Sequence, residues 1–202
     1  NFLVNQVDFS FLNASYQTFT GGAVYYNPGL NMMFKVGAND LFEDYRIIGG
    51  MRLSTDFDSN EFLFSFENLK KRLDKQILFH RQIFKASTEF SMLKTFTHEA
   101  FYILKYPLNQ VTALKGSAVF RYDRTVYLST DLQNLHEKDI VQPWLGLKGE
   151  YIFDNTRFIG VNLYSGLRYK IFAEAYKQII EKRSDLFVVG ADFRHYSKLH
   201  RT

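Results

Sequence analysis

The sequence has no cysteine, one tryptophan and three prolines among its 202 residues. Without cysteine there is no disulfide framework, no thiolate metal site and no cysteine nucleophile. No apolar run approaches the ~20 residues that a membrane-spanning helix requires. The net charge is +4, and the one dense basic run, KKR at residues 70–72, is too short to form a nucleic-acid-binding groove. These absences exclude thiol chemistry and disfavour nucleic acid as a partner.

Aromatic residues are abundant at 17%, and many of them alternate with polar residues, most clearly in GVNLYSGLRYKIFAEAY at residues 160–176. A helix would place Lys170 and Glu174 on the same stripe as Leu163 and Leu167. At a period of two, charged residues separate from apolar ones, because successive strand side chains point to opposite faces. We therefore predict a strand here. It is longer than the ~5–6 residues of most soluble strands and suits the ~9–11 residues of a tilted membrane-spanning strand.

Similar alternation recurs along the chain in about ten or eleven segments, separated by turn-forming residues. In FLVNQVDFSFL at residues 2–12, the pattern places Leu3, Val7, Phe9 and Phe11 on one side. Residues 66–77 and 173–184 also fit short helices, and both alternatives stay open. No Pro/Ser-rich linker divides the sequence. We therefore predict one all-β, antiparallel unit.

Two antiparallel architectures fit this pattern, and they differ in where the apolar face points. A soluble barrel or sandwich hides it inside, whereas a transmembrane β-barrel turns it towards lipid and keeps polar groups in the lumen. The segment lengths and the shared face of the charges favour the transmembrane barrel. The residues predicted to face lipid are Val161, Leu163, Leu167, Tyr169 and Ile171. The residues predicted to face the lumen are Arg46, Arg52, Lys115, Arg121, Lys148, Glu150, Arg168, Lys170, Glu174 and Arg194. Removing the charge of Arg168 should cost about 1 kcal/mol or less, unless it leaves a paired carboxylate such as Glu150 or Glu174 without its partner.

Catalytic and metal-binding patterns are weak. The five histidines include no H-x-x-x-H pair, so we interpret them as surface or lumen side chains. Ser117 or Ser129 near His98 would be needed for serine catalysis, and no G-x-S-x-G elbow accompanies them. We therefore predict no catalytic residues, no metal and no cofactor.

Several long strings resemble the C-terminal region of TolB-like proteins of Bacteroidetes: FKVGANDLFEDYRIIGGMRL, SNEFLFSFENLKKRLDKQ, GEYIFDNT, GVNLYSGLRYKIFAEAY and VVGADFRHYSKLHR. In that family a WD40-like propeller precedes an outer-membrane barrel, which is similar to the BamA-type surface-antigen superfamily. The resemblance covers nearly the whole sequence. It implies that residues 1–202 are a single barrel segment, with about ten or eleven of sixteen strands. A propeller would precede it and further strands would follow it.

The same resemblance implies an outer-membrane location in a diderm, Gram-negative bacterium and a non-catalytic role in protein translocation, insertion or envelope assembly. The implied partners are outer-membrane lipid, lipopolysaccharide, and envelope proteins or the protein's own propeller. Two alternatives remain: a soluble β-barrel module that binds an apolar ligand, and a passive pore. A membrane barrel requires detergent for extraction, which distinguishes it from the soluble module.

Overall fold

The computed structural model describes residues 2–12, 16–17, 24–25, 31–54, 59–87, 92–128, 138–160, 163–180 and 185–197. Their regular structure consists of thirteen strands. These are β1 (Phe2–Leu12), β2 (Tyr16–Gln17), β3 (Val24–Tyr25), β4 (Asn31–Asp40), β5 (Tyr45–Ser54), β6 (Asn60–Asn68), β7 (Asp74–Ser87), β8 (Met92–Pro107), β9 (Thr112–Leu128), β10 (Ile140–Asp154), β11 (Arg157–Gly160), β12 (Leu163–Gln178) and β13 (Asp185–Tyr196). No helix in the described residues is long and apolar enough to cross a membrane.

Eleven of the strands form one antiparallel sheet, and β2 pairs with β3 in a separate hairpin. The order in the large sheet is β1-β4-β5-β6-β7-β8-β9-β10-β12, with β11 and β13 also paired to β12. β11 continues the line of β10, because Asp154 lies opposite Arg168 and Arg157 lies opposite Ser165. The prediction of an all-β, antiparallel unit is confirmed. Within the described residues, β1 and β13 are the two edges, and the sheet is not closed.

The helical alternative for residues 66–77 is wrong, because these residues comprise the end of β6, a turn and the start of β7. In the second stretch, residues 173–178 belong to β12 rather than to a helix, and residues 181–184 lie outside the described residues. In the first stretch, the Leu69 N–H donates to the Asp44 carbonyl at 2.7 Å, so the turn is tied to the neighbouring hairpin. Pairing with strands on both sides supplies the backbone hydrogen bonds that a short helix would supply internally.

The two faces of the sheet can be followed across all the long strands from the strand register. Residues directly opposite each other in an antiparallel pair point to the same side. One such row passes through Arg46, Glu67, Gln76, Ile103, Ser117, Lys148 and Glu174. We call the side of the sheet that carries this row the inner face, and the opposite side the outer face.

The two ends of the sheet differ in their connections. At one end, β4–β5, β6–β7 and β8–β9 are joined through residues 41–44, 69–73 and 108–111. We call this the short-turn end. At the other end, which we call the long-loop end, residues 13–30 and 129–139 form the two longest connections, and residues 55–59, 88–91 and 179–184 form shorter ones. At the short-turn end, Arg72 donates to the carbonyl oxygens of Pro107 and Leu108, and these bonds link two neighbouring turns.

Three irregularities interrupt the ladder. The register of β1 shifts between Val4 and Gln6, so that Leu3 lies opposite Asn39 on the inner face while Val7 lies opposite Val36 on the outer face. The expectation that Leu3 shares a side with Val7 is therefore wrong, because one extra residue reverses the alternation. The second is the break between β10 and β11, and opposite it Gly166 of β12 adopts a φ of 124°. The third is a register shift between Phe158 and Gly160 of β11.

Candidate functional site: the charged inner face

Burial is reversed between the two faces. Polar inner side chains near the centre of the sheet are almost inaccessible to solvent, with Glu61 0% and His80 1% exposed, whereas inner charges near the β13 edge, such as Arg168 and Arg194, are about half exposed. Large apolar side chains of the outer face are open, including Phe187 at 71% and Leu147 at 67%. No second layer of described elements packs on either face. The inner side chains are therefore buried by curvature of the sheet and by one another.

A charged network crosses the middle of the inner face, centred on His80 of β7. The ring lies between two carboxylates, with Nε2 2.8 Å from Glu61 Oε1 and Nδ1 2.9 Å from Glu99 Oε2. The Arg52 Nη1 donates to the other Glu61 oxygen at 3.0 Å. The Arg121 Nη1 lies 3.7 Å from Glu99 Oε1. The His80 network therefore joins five consecutive strands, β5 to β9, through side chains alone.

The geometry of the ring fixes a minimum number of protons in this network. An ionised carboxylate only accepts hydrogen bonds, and a neutral imidazole has one donor and one acceptor nitrogen. Two carboxylates flanking one ring therefore require either an imidazolium at His80 or a protonated Glu61 or Glu99. With an imidazolium, the cations Arg52 and His80 balance the anions Glu61 and Glu99 in this part of the network. Paired buried charges avoid the large cost of isolated ones.

The network continues towards the long-loop end. The Arg121 Nε donates to Asp123 Oδ2 at 2.7 Å, and the Thr97 hydroxyl donates to Asp123 Oδ1 at 2.7 Å. Trp144, the single tryptophan, lies opposite Arg121 in the register. Trp144 therefore occupies the inner-face position next to the network on β10.

A second charged network, which we call the lysine–glutamate network, lies on β9, β10 and β12 around the buried Glu150. The Nζ atoms of Lys115, Lys148 and Lys170 lie 3.2, 3.5 and 3.8 Å from Glu150 carboxylate oxygens. Lys148 also contacts Glu174 at 2.7 Å. Three ammonium groups therefore surround the Glu150 carboxylate, and one of them also pairs with Glu174, so that the network has three cations for two anions.

The register accounts for both networks. Where two charged residues of the inner face are directly opposed, their signs are opposite in almost every case, as in Arg46 with Glu67 and Lys170 with Asp192. The exceptions among the described residues are Lys105 with Lys115 and Arg168 with Arg194. Opposite charges in directly opposed positions stabilise a sheet, and like charges destabilise it. The inner face is therefore a charge-matched surface.

The two networks border a shared concavity. A cavity of about 440 Å³ is lined by inner-face residues of β8, β9, β10, β12 and β13, among them Glu99, Arg121, Glu174 and Tyr176. Tyr176 donates its hydroxyl to Glu174 Oε2 at 3.1 Å, and its ring covers Gly146. The charged side chains that could bind a polar solute here are already held by neighbouring charges.

All of the charged residues singled out from the sequence lie on the inner face: Arg46, Arg52, Lys115, Arg121, Lys148, Glu150, Arg168, Lys170, Glu174 and Arg194. Leu163, Leu167, Tyr169 and Ile171 lie on the outer face, with Leu163 63% and Ile171 51% exposed. Val161 is outside the described residues. Arg168 does pair with a carboxylate, and it is that of Asp154: the guanidinium Nε donates to Asp154 Oδ2 at 2.7 Å.

Sequence reasoning did not single out Glu61, His80 or Glu99. They lie on three neighbouring strands, and no short motif connects them. Alternation alone places each on the charged side of its own segment, but only the register brings them together. The imagined pairing of Ser117 with His98 fails, since Ser117 is on the inner face and His98 on the outer face. Ser129 is outside the described residues.

We compared the sequence and the fold with those of known proteins. No protein-family model matches the sequence, and no curated protein or solved structure matches it.

Proposed function

We propose that the chain forms part of the wall of a transmembrane β-barrel in the outer membrane of a diderm bacterium. The reversed burial of the two faces is the observation that carries this proposal. In water, exposing Phe187, Phe193 and Leu147 at 71, 68 and 67% of their surface would forgo the hydrophobic stabilisation of the fold. In contact with the hydrocarbon of a bilayer, the same apolar surface carries no such cost. The charged face then lies on the side of the lumen.

The width of the apolar surface supports this location. On β9, the outward residues from Leu114 to Tyr122 carry no charge, and Arg124 follows them. This stretch is about 30 Å long at ~3.3 Å per residue. With the strand tilted by ~40°, it covers about 23 Å along the membrane normal, close to the ~25 Å apolar band of outer-membrane barrels.

Aromatic side chains lie near the ends of the outer face, as in the interfacial girdles of membrane barrels. Tyr169 is the centre of one group at the short-turn end. Its ring centroid lies 5.0 Å from Phe153, 6.0 Å from Tyr151 and 6.5 Å from Phe193. At the long-loop end, Tyr122 lies on the same outer face.

The charged inner face argues against the soluble module but not against the passive pore. A soluble module for an apolar ligand needs an apolar interior, and the inner face instead contains the His80 and lysine–glutamate networks. A passive pore is compatible with a charged inner face, and single-channel conductance in planar bilayers tests it. We further propose that the protein is non-catalytic and needs no cofactor, since the ionisable groups of the two networks are engaged in ion pairs.

The role in protein translocation, insertion or envelope assembly rests on the resemblance to TolB-like and BamA-type barrels. Outer-membrane lipid, lipopolysaccharide and envelope proteins are the corresponding partners. Controlled depletion of the protein in its own host tests this role. We expect other outer-membrane proteins to accumulate unassembled in the periplasm. Unchanged assembly would contradict the role in assembly while leaving the membrane location intact.

A substitution at Leu147 tests the membrane location directly. Leu147→Arg would place a guanidinium in the apolar band at a cost of roughly 2–4 kcal/mol near its centre. Leu147→Ala removes apolar area without adding a charge and is the matched control. We expect the arginine variant alone to lose the heat-modifiable, folded form on gels after assembly into membranes. Normal folding of Leu147→Arg, or release of the wild type by carbonate washing, would contradict a lipid-facing outer surface.

A further inference from the structure

The cavity of about 440 Å³ on the inner face is lined partly by groups that neither charged network uses. Two of them are Gln142 and Trp144, which lie two residues apart on the inner side of β10, and we call this space the Gln142–Trp144 cavity. Within the described parts of the chain, neither side chain makes a hydrogen bond, an ion pair or a ring contact. The Gln142 amide has two donors and an acceptor oxygen, and the Trp144 indole has one donor and an aromatic face. A ligand in the cavity would give these groups the partners that the described residues do not provide.

Apolar and aromatic side chains form much of the remaining wall. Phe101, Val119, Tyr176, Leu186 and Val188 line the cavity. Leu186 is 51% exposed and Val188 is 36% exposed, although both lie on the inner face beside charged residues. Small-molecule sites are mostly lined by such side chains, with a few polar groups that fix orientation, and have volumes of roughly 300–1,000 Å³. The cavity therefore has the size and the lining of a small-molecule site.

The carboxylates in the lining already have cationic partners. Nitrogen atoms of Arg121 lie 2.7 Å from Asp123 Oδ2 and 3.7 Å from Glu99 Oε1. The Lys148 Nζ lies 2.7 Å from Glu174 Oε1. A charged ligand would therefore find its counter-charges already balanced, and removing its own charge from water would be costly. The pairing favours a ligand without net charge.

The same carboxylates keep room for further hydrogen bonds. An ionised carboxylate has about four lone-pair sites on its two oxygens. Asp123 accepts one hydrogen bond on each oxygen, and Glu174 likewise receives one donor on each oxygen. Hydroxyl groups of a ligand could donate to the sites that remain, and the Gln142 amide could either donate or accept. The ligand that fits is neutral, rich in hydroxyl groups and apolar on one face.

We propose that the Gln142–Trp144 cavity binds a neutral saccharide. A sugar ring has C–H bonds across one face, which pack against the negative face of an aromatic ring, and it has hydroxyl groups around its rim. The apolar face of the sugar contacts Trp144, and its hydroxyl groups bond to Gln142 and to the free acceptor sites of Asp123 and Glu174. The inference goes beyond the proposed membrane location. It concerns the inner face and does not depend on what covers the outer face.

The experiment uses the full-length protein in detergent micelles and measures binding by isothermal titration calorimetry. The probes are neutral disaccharides of glucose, galactose, mannose and N-acetylglucosamine. The matched control is Gln110→Leu, which makes the same change as Gln142→Leu in the exposed turn between β8 and β9 at the short-turn end. We expect at least one probe to bind the wild type and the control equally. Gln142→Leu should bind it roughly three- to tenfold more weakly, and Trp144→Ala roughly tenfold or more weakly.

Failure of every probe to bind the wild type would overturn the proposal. Equal binding by the wild type and both β10 variants, or an equal loss in Gln110→Leu, would overturn it as well. Tighter binding of an aliphatic diamine than of any saccharide would replace the neutral ligand with a cation. If both β10 variants fail to fold, the wild type decides: an O-methylated probe, which lacks hydroxyl donors, should bind far more weakly, and equal binding overturns the inference. Release of the wild type by carbonate washing, with saccharide binding intact, would contradict the membrane location alone.

Discussion

Replacing His80 by leucine should destabilise the protein more than any substitution of an outer-face histidine. The substitution removes contacts of 2.8 and 2.9 Å and leaves the Glu61 and Glu99 carboxylates facing each other without the ring between them. Across about 7 Å at an effective dielectric constant of ~20, their repulsion amounts to about 2 kcal/mol. Two lost hydrogen bonds to charged groups add about 1.5–3 kcal/mol each.

Two effects reduce this sum. Leucine is apolar and recovers about 1–2 kcal/mol from burial in the same space. Arg52 and Arg121 remain beside the two carboxylates and keep part of their charge balanced. We therefore expect a loss of about 3–5 kcal/mol in the free energy of unfolding, the usual cost of removing one partner from a buried ionic group.

Trp144 provides the readout. It is the only tryptophan and lies opposite Arg121 on the inner face, so its fluorescence reports on the neighbourhood of the network. Urea unfolding of the protein refolded in lipid vesicles, followed at this residue, gives the free energy by linear extrapolation. His98→Leu is the matched control, because it removes a histidine from the outer face of the next strand.

A second variant separates repulsion from general disruption. Adding Glu99→Gln to His80→Leu removes one of the two facing charges and should recover about 1–2 kcal/mol. The reasoning is refuted if His80→Leu stays within about 1 kcal/mol of the wild type, or if it costs no more than His98→Leu.

Three further predictions concern single positions, each read from urea midpoints and heat-modifiable gel mobility. A Cβ at Gly146 would lie 2.4 Å from the Tyr176 ring, whereas a Cβ at Gly149 would have no neighbour within 4 Å. Gly146→Ala should therefore lower the free energy of unfolding by about 1–3 kcal/mol, and Gly149→Ala should leave it almost unchanged. Equal effects of the two substitutions would contradict close packing of the Tyr176 ring on Gly146. Gly166 has a φ of 124° with a carbonyl oxygen 2.8 Å from a built Cβ, so Gly166→Ala should lose about 1–3 kcal/mol, and a neutral result would argue against this turn geometry. Glu150→Gln leaves three ammonium groups around a neutral amide and should cost about 2–4 kcal/mol, and a stable variant would show that the lysine–glutamate network contributes little.

The sequence alone predicts which residues of a strand lie on the same face of the sheet, because this depends only on their spacing along the strand. Alternation fixes which side of its own strand each residue occupies, and this was enough to place Lys148, Glu150 and Arg168 together. It failed where the alternation itself is broken, as at Leu3, because an inserted residue leaves no distinct mark in the composition.

The partners within a face could not be predicted, since they depend on how strands are aligned. Arg168 meets Asp154 because β12 folds back on β10 at one particular offset. That offset is fixed by the turn around Asn155, whose side chain accepts from the Leu167 N–H at 2.6 Å. His80 could not be recognised as a network centre for the same reason, because its two carboxylates come from β6 and β8.

The charged inner face and the apolar outer face then contribute differently to that alignment. A slip of one residue between strands would exchange the two faces of a strand. A slip of two keeps the faces, and on β5 and β6 it still sets apolar outer residues against one another. On the inner face, however, such a slip would move Glu67 from Arg46 to Ile48, and Glu61 from Arg52 to Ser54. The apolar outer side chains barely discriminate between these two registers, whereas the opposed inner charges favour one of them. The inner charges therefore select the register, and the apolar outer face contributes little to that selection.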